Sequence, residues 1–537
     1  MIASTFVSCA YSVTAAPTRT GGPAGSRRGT SARSSRGSRR TSSSRATATC
    51  SAGRRILCRR IPDEKTLDRA APASLRANSQ RMSTAAVDHT PLRAAIAGDV
   101  VARGEPGWEA ARQAWNLTAD QRPPLVVFAE AVDDVAATVR FASANGLKVA
   151  PQSTGHGATS MGDLAGTILL KTSRLTAVSV DPAARTATVQ AGALWSDVVA
   201  PAAAHDLVGL HGFAAGVGVA GYTLGGGIGW LSRREGFAST HVRAFDVIGA
   251  DGEAHRIDAA SDPDLFWALR GGGGRPVIVT SFELELFELR EAFGGALMWP
   301  IEQAEEVVEA YREWTASVPV ELTSTIKLLR FPSLPTVADR LRGRALVSIL
   351  LVFTGTEERA EDLVAPLRAV AKPYLDTLAM VPGSALGQLA GDPTNPLPAL
   401  GHAVLLDRMS REATEAFLAL AGPGTDPPLT SVEIRLLGGA LGEADPDPGA
   451  AGPLDAEGLV YAAGAATSRE AEEHVLATMR ELGDRFAPFS GQRDTILTFD
   501  ELRPMRDAFA PEVVDRLEAI TRERDPDGLL VANHVAD

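Results

Sequence analysis

The chemistry-bearing residues gather around one histidine. Pro151-Gln-Ser-Thr-Gly-His-Gly157 places His156 between Gly155 and Gly157, just after a short apolar segment ending at Leu147-Lys-Val149. Small residues let a backbone come close to a ligand, and successive N–H groups in such a turn can cradle a diphosphate. The histidine would then present a nucleophilic ring beside a bound dinucleotide. The plainer alternative is a glycine turn with a surface histidine. Downstream, Gly216-Val-Gly-Val-Ala-Gly-Tyr-Thr-Leu-Gly-Gly-Gly-Ile-Gly-Trp-Leu-Ser-Arg233 contains G-x-G-x-x-G at Gly216, Gly218 and Gly221. A nicotinamide-type helix is argued against by Gly225, Gly226 and Gly227, which fall where that helix would be running. The stretch reads as irregular backbone pressed against a large planar ligand, with a glycine-rich packing corner as the alternative.

These residues need a scaffold. Arg122–Phe128 predicts a strand, and Val132, Val135, Ala136, Val139 and Ala142 fall at helical spacing up to the stop Asn145-Gly146. Leu147–Val149 is the next strand, so the heptapeptide sits where the second strand of a β-α-β unit ends, a common place for phosphate groups. Thr167–Leu170 and a hairpin of Ala177–Val180 with Thr186–Val189 follow. Val247–Gly252 reads as strand and turn, Asp264–Arg270 as a short helix meeting Gly271–Gly274, and Val277–Leu284 as a strand.

Composition narrows the function classes. The chain has 537 residues, enough for two or more domains, and a net charge of −12. Residues 1–82 hold sixteen Lys/Arg against three acids, which leaves −25 for the remainder. So acidic a body is a poor partner for nucleic acid or an anionic membrane, and no apolar run is long enough to span a bilayer. The three cysteines, Cys9, Cys50 and Cys58, all precede residue 83. That excludes a disulfide framework, a thiolate metal site and a cysteine nucleophile from the rest. There is no H-E-x-x-H, and no metal is expected. Residues 1–82 are Arg- and Ser-rich without apolar periodicity, and disorder is expected there. Three accounts stay open for them: translation starting at Met82, a transit peptide, or a functional basic tail. The expected location is cytoplasmic, or an organelle if the segment is a transit peptide.

Four blocks occur in one order: Gln152–Gly157, Val217-Gly-Val-Ala-Gly-Tyr-Thr-Leu-Gly-Gly-Gly227, Asp264-Leu-Phe-Trp-Ala-Leu-Arg-Gly-Gly-Gly-Gly274 and Ile278-Val-Thr-Ser-Phe-Glu283. In this the chain resembles berberine bridge enzyme-like FAD-linked oxidoreductases of bacterial type, which carry a PCMH-type FAD-binding domain within the vanillyl-alcohol oxidase superfamily. The resemblance implies FAD joined covalently to His156, with Ser153, Thr154, Gly155 and Gly157 supplying donors to the pyrophosphate. It further assigns Val217, Gly218, Gly221, Thr223, Gly226, Gly227, Val279 and Asn533 to the cofactor. Val217 falls where such oxidases keep a small residue near the oxygen-reacting face, which implies O2 as acceptor, with simple packing by a valine as the alternative. A second bond, from a cysteine at the position of Ala214, is ruled out. Arg275-Pro276 departs from the family's Asn-Phe-Gly and removes a backbone donor.

From about Phe293 strands at Thr323–Leu329, Ala345–Phe353 and Val432–Leu437 alternate with helices at Ile301–Ser317, Glu357–Val370 and Glu470–Leu482. The resemblance makes this the substrate-binding domain. Alternation puts Glu433 and Arg435 on one face, as a structural ion pair or as pocket lining. Where many relatives place a catalytic tyrosine, this chain has Ile496 and Thr498. Oxidising an alcohol needs a group to take the hydroxyl proton. Tyr461 is the best substitute, with a core tyrosine as the alternative reading.

The expected fold is α+β: a two-subdomain FAD-binding domain plus a substrate domain whose antiparallel sheet is covered by helices. The expected division is 1–82 basic segment, 83–118 lead-in helices, 119–291 FAD-binding domain, 292–495 substrate domain and 496–537 a C-terminal segment returning to the FAD domain. The implied function is oxidation of an alcohol, sugar or secondary-metabolite carbon with reduction of O2 to H2O2. An O2-insensitive FAD dehydrogenase and a flavin-binding protein without turnover are the rivals. Substrate identity and oligomeric state are not encoded in any motif.

Overall fold

The computed structural model describes residues 87–443, 447–491, 493–500 and 502–533. The expectations for residues 1–82 lie outside the described residues. The stretch 83–118 is not helical throughout. Helices Thr90–Ala95 and Trp108–Ala111 flank a strand, β1 (Asp99–Ala102). Its burial alternates, with Val100 and Ala102 inside, and it pairs antiparallel with β2 (Leu125–Phe128). This is the period-two signature of a strand, short enough to be masked by its helical neighbours.

β2 leads into the helix Val132–Ala144, which ends before Gly146 at φ +65. β3 (Lys148–Gln152) and β4 (Thr167–Lys171) complete a sheet of order β1-β2-β4-β3. β2 and β3 are therefore both parallel to β4, which lies between them. The middle strand β4 is buried along its whole length, as a parallel strand with covered faces should be.

A second, antiparallel sheet has order β5-β6-β10-β8-β9. It comprises β5 (Val178–Asp181), β6 (Thr186–Gln190), β8 (Val242–Ile248), β9 (Ala254–Ile257) and β10 (Ile278–Glu285), while β7 (Leu207–Val208) pairs with β11 (Phe287–Glu288). Between these strands the glycine-rich stretch is only partly irregular. Val219–Leu224 is a short helix, and Gly225 caps its end. The triple glycine ends that helix and does not prevent it.

The largest sheet has order β15-β12-β14-β13-β18-β19-β17, with β16 also on β12. Its strands are β12 (Glu291–Pro300), β13 (Leu322–Arg330), β14 (Ala345–Phe353), β15 (Leu375–Asp376), β16 (Ala379–Pro382), β17 (Ala399–Leu406), β18 (Ser431–Leu436) and β19 (Gly458–Ala465). Every pairing is antiparallel. Alternation sorts its side chains. Phe293, Leu297, Trp299, Ile326 and Ile349 pack under the helices Ala304–Thr315, Glu357–Val370, Arg411–Ala421 and Arg469–Phe486. Ala296, Met298 and Leu350 face the other way, into the core shared with the second sheet. Thr356, Ser410 and Ser468 cap three of those helices by accepting a backbone N–H, each cap contributing about 1 kcal/mol. The molecule is α+β, with a helix-covered antiparallel sheet as its second half.

Candidate functional site

β3 runs through Pro151 and Gln152, so the turn proper begins at Ser153. Gly155 adopts φ +82, and a Cβ there would come within 2.8 Å of the Ala114 Cβ. Only glycine satisfies both the left-handed backbone and the contact. The segment after Ala114 lies along the turn: Trp115 N–H donates to Thr154 O at 2.9 Å and Asn116 N–H to Gly155 O at 3.3 Å. The Trp115 ring stacks on His156 with centroids 3.9 Å apart. Burial pushes the His156 imidazole down to about 4, against an opposing hydrogen bond with the Gly216 carbonyl. The ring is thus neutral at pH 7, and its Nε2 is buried without a partner in the protein.

Two other segments close on this turn. A Cβ on Gly218 would lie 2.8 Å from Ser153 Oγ, and one on Gly157 would lie 3.4 Å from Asn533 Nδ2. Asn533 arrives there because Val149 N–H donates to Leu529 O and Val531 N–H to Val149 O, which lays the C-terminal segment along β3.

One cavity is bordered by Ser153, Thr154, Gly155, His156, Gly157, Val217, Gly218, Gly221, Val279, Asn533 and Tyr461. Three residues expected at the cofactor are not on its wall: Thr223, Gly226 and Gly227. Thr223 is fully buried on the helix Val219–Leu224. A Cβ on Gly226 would meet Phe237, and one on Gly227 would meet Tyr222 and Ala238. These two glycines, at φ +106 and +76, form a packing corner, the alternative reading of that stretch. Gly221 differs: a Cβ there would meet nothing within 4 Å, so the backbone faces open space.

The opposite wall comes from the large sheet and the loop 496–500. Tyr461 on β19 borders the cavity, as do Leu497, Thr498, Phe499 and Asp500. Ile496 does not; it is buried with Phe237, Leu405 and Leu459. The position matched to the family's tyrosine is thus a core position in this chain. Glu433 and Arg435 stand on the same sheet face but behind the wall. Arg435 Nε donates to Glu433 Oε1 at 2.7 Å, and Lys327 Nζ sits 2.7 Å from Oε2. Burial alone would raise the Glu433 carboxyl, but Arg435 and Lys327 outweigh it and hold it below its ordinary value. The Arg435 guanidinium packs 4.1 Å from the Phe213 ring centroid, 4.4 Å from Phe499 and 5.5 Å from Tyr461. Structural pairing, not pocket lining, is what these two charges do.

Sequence reasoning missed Asp500 on the wall and Trp115 stacked on His156. Neither carries a motif, because long-range pairing brings them in. Asp500 is the one carboxylate on the wall among the described residues. Its Oδ1 accepts from Leu502 N–H at 2.8 Å, and its Oδ2 is 3.2 Å from His402 Nδ1. Arg275, where the chain departs from the family pattern, borders the cavity.

The cavity can be tested for a flavin dinucleotide. Ser153 Oγ, His156 Nε2, Tyr222 Oη and Thr498 Oγ1 are buried on the wall without hydrogen-bond partners in the protein. Buried polar atoms normally find partners, so the wall suits a polar ligand. The backbone-lined approach at Gly221, with Gly273 and Gly274 also on the wall, leaves room for a planar ring system. The residues fit the group. Residues 123–258 match the family described as "FAD binding domain". The chain is 30% identical over 294 residues to (R)-6-hydroxynicotine oxidase of Paenarthrobacter nicotinovorans, covering 54% of this chain and 62% of that one. It is 30% identical over 229 residues to glucooligosaccharide oxidase of Sarocladium strictum, covering 41% and 46%. The solved structure of 6-hydroxy-D-nicotine oxidase from Arthrobacter nicotinovorans superposes with a TM-score of 0.72 at 25% identity, covering 83% of this chain and 99% of that one.

The chain carries an FAD-binding domain over residues 123–258, and its relatives and structural neighbours are FAD-linked oxidoreductases. Its cofactor is FAD. The berberine bridge enzyme-like 1 protein of Physcomitrella patens shares the fold, with a TM-score of 0.72 at 19% identity. The match spans 56 to 62% of the length of the first curated relatives. Among the described residues no helix is long and apolar enough to cross a membrane.

Proposed function

We propose that the chain is an FAD-dependent oxidase that removes hydride from a CH–OH or related carbon of a small molecule and passes the electrons to O2. One observation carries this reading. A single cavity joins the Ser153–Asn533 cradle to a wall bearing Tyr461 and Asp500, so cofactor and donor would share one space. The names of the relatives, a nicotine oxidase and an oligosaccharide oxidase, support the donor class. FAD, when bound, supplies a hydride acceptor. The protein does the rest. Ser153, Thr154, Gly155 and Gly157 would hold the FAD diphosphate, Val217, Gly221 and Val279 would line the space for its ring, and Asn533 closes the turn. Neutral His156 with its free Nε2 is the covalent attachment point. Val217 borders the same cavity, where a side chain of its size would leave room for O2.

Tyr461 Oη takes the donor's hydroxyl proton in this account, as a base must when hydride leaves. A second assignment, Asp500, is favoured by its being a buried carboxylate on the same wall. The domain roles follow: 119–291 binds FAD, and 292–495 shapes the donor site. The location we assign is the cytoplasm. The test is an anaerobic bleaching screen of the flavin with sugars, secondary alcohols and phenolic donors, followed by admission of air. Bleaching by a donor and fast recovery in air support the oxidase. Bleaching without recovery points to a dehydrogenase, and no bleaching by any donor to a flavin-binding protein without turnover.

A further inference from the structure

Lys171 ends β4 and is only 5% exposed. Its Nζ donates to the Gln113 carbonyl at 2.8 Å and to Gln152 Oε1. Gln152 lies opposite it in register, donates on to Gln121 Oε1 at 2.9 Å, and borders the cavity, as does the next residue, Thr172. The ammonium is thus buried against Gln152, whose Cδ would lie 3.0 Å from a Cβ on Gly155 of the turn. Among the described residues no carboxylate pairs with it. The surrounding charges are engaged elsewhere. Asp134 on the helix Val132–Ala144 accepts from the Gly98 and Glu130 N–H groups. Asp120 on the 112–121 segment pairs with Arg112 and Arg122, and Arg174 beyond β4 with Asp99 and Glu130. Strand β2 holds no ionisable side chain, Lys148 of β3 is exposed, and His156 in the turn is uncharged at pH 7. A buried cation without an anion is costly, and sites keep one where a ligand supplies the missing charge. Desolvation accordingly draws Lys171 down to about 8.

We propose that Lys171 is the counter-charge for the diphosphate, acting through Gln152 and not by direct contact. This rests on the FAD cradle described above. An anion at the turn draws the ammonium back toward its ordinary proton affinity, so binding takes up protons at alkaline pH. Affinity is then highest below the free-protein value and falls as pH rises through it.

The experiment uses the full chain carrying His156→Ala, so that FAD exchanges freely. Its dissociation constant is measured by equilibrium dialysis from pH 7 to 9.5, with proton uptake at pH 8.5 read by calorimetry in two buffers of different ionisation enthalpy. The parent is expected to lose affinity by roughly 30-fold over that range, near tenfold per pH unit once Lys171 is neutral in the free protein. Adding Lys171→Arg keeps the charge, flattens the profile and abolishes the proton uptake. Lys171→Met binds weakly and without pH dependence. If the methionine variant does not fold, the parent and arginine profiles still decide. A flat parent profile, or an unchanged slope in the arginine variant, overturns the proposal. Failure of this parent to bind FAD at any pH, together with absence of flavin from the unaltered chain, would instead overturn the cofactor reading itself.

Discussion

The two walls of the cavity are built from different materials. The cradle wall is mostly backbone: a left-handed glycine at Gly155, open backbone at Gly221, and turn residues too small to intrude. The sheet wall is mostly side chains: Tyr461, Leu497, Thr498, Phe499 and Asp500, supported by the buried Arg435–Glu433–Lys327 cluster. Backbone recognition suits the part of a ligand that never varies, since it offers N–H groups and shape. Side chains suit a variable donor and proton transfer. The same division separates what should change when each wall is altered.

The largest effect expected is on chemistry. Tyr461→Phe should cut turnover by about 10²- to 10⁴-fold while leaving FAD content intact, measured by steady-state rates and the flavin-to-protein ratio. If the rate survives and Asp500→Asn loses it, the base belongs to the carboxylate. Ile496→Tyr should not restore a base. The side chain is core-packed, and enlarging it costs about 1–3 kcal/mol of stability, read by thermal unfolding.

Next comes the support of the sheet wall. Arg435→Met leaves Glu433 buried with Lys327 alone and is expected to cost about 3–5 kcal/mol, seen in chemical denaturation. A loss below 1 kcal/mol would show that the cluster is not the wall's support.

The two walls also differ in how much the sequence reveals. A turn needing positive φ must spend a glycine, so Gly155 announces itself next to His156. The β-α-β unit is legible from apolar spacing for the same local reason. Gly226 and Gly227 show the limit: glycine marks close approach but not to what, and here the neighbours are Phe237, Tyr222 and Ala238. On the sheet wall, alternation placed Glu433 and Arg435 on one face. Only the pairing of β18 with β13 and β19 shows that Lys327 completes the cluster and that Tyr461 flanks it. Asp500 meets His402 from 98 residues away, and Trp115 meets His156 across tens of residues, which no local pattern encodes. The strand Asp99–Ala102 was hidden for a different reason, being four residues long between two helices.

The smallest effect is a pH dependence that should be missing. Because burial holds His156 near 4, its ring stays neutral as pH falls from 8 to 5.5. Flavin attachment to the apoprotein should therefore keep its rate across that window. An imidazole of ordinary proton affinity, near 6.5, would be protonated through the lower part of it and lose about tenfold. A tenfold fall at pH 5.5 would mean that His156 is not shielded as described.

The central claim is that the turn around His156 holds FAD and bonds to it. Purified full chain, taken from cells supplied with riboflavin, should show a flavin spectrum. After acid precipitation the yellow colour should stay in the pellet of the unaltered protein and pass to the supernatant for His156→Ala. A spectrum without flavin would contradict the cradle, and colour freed from the unaltered protein would contradict the bond.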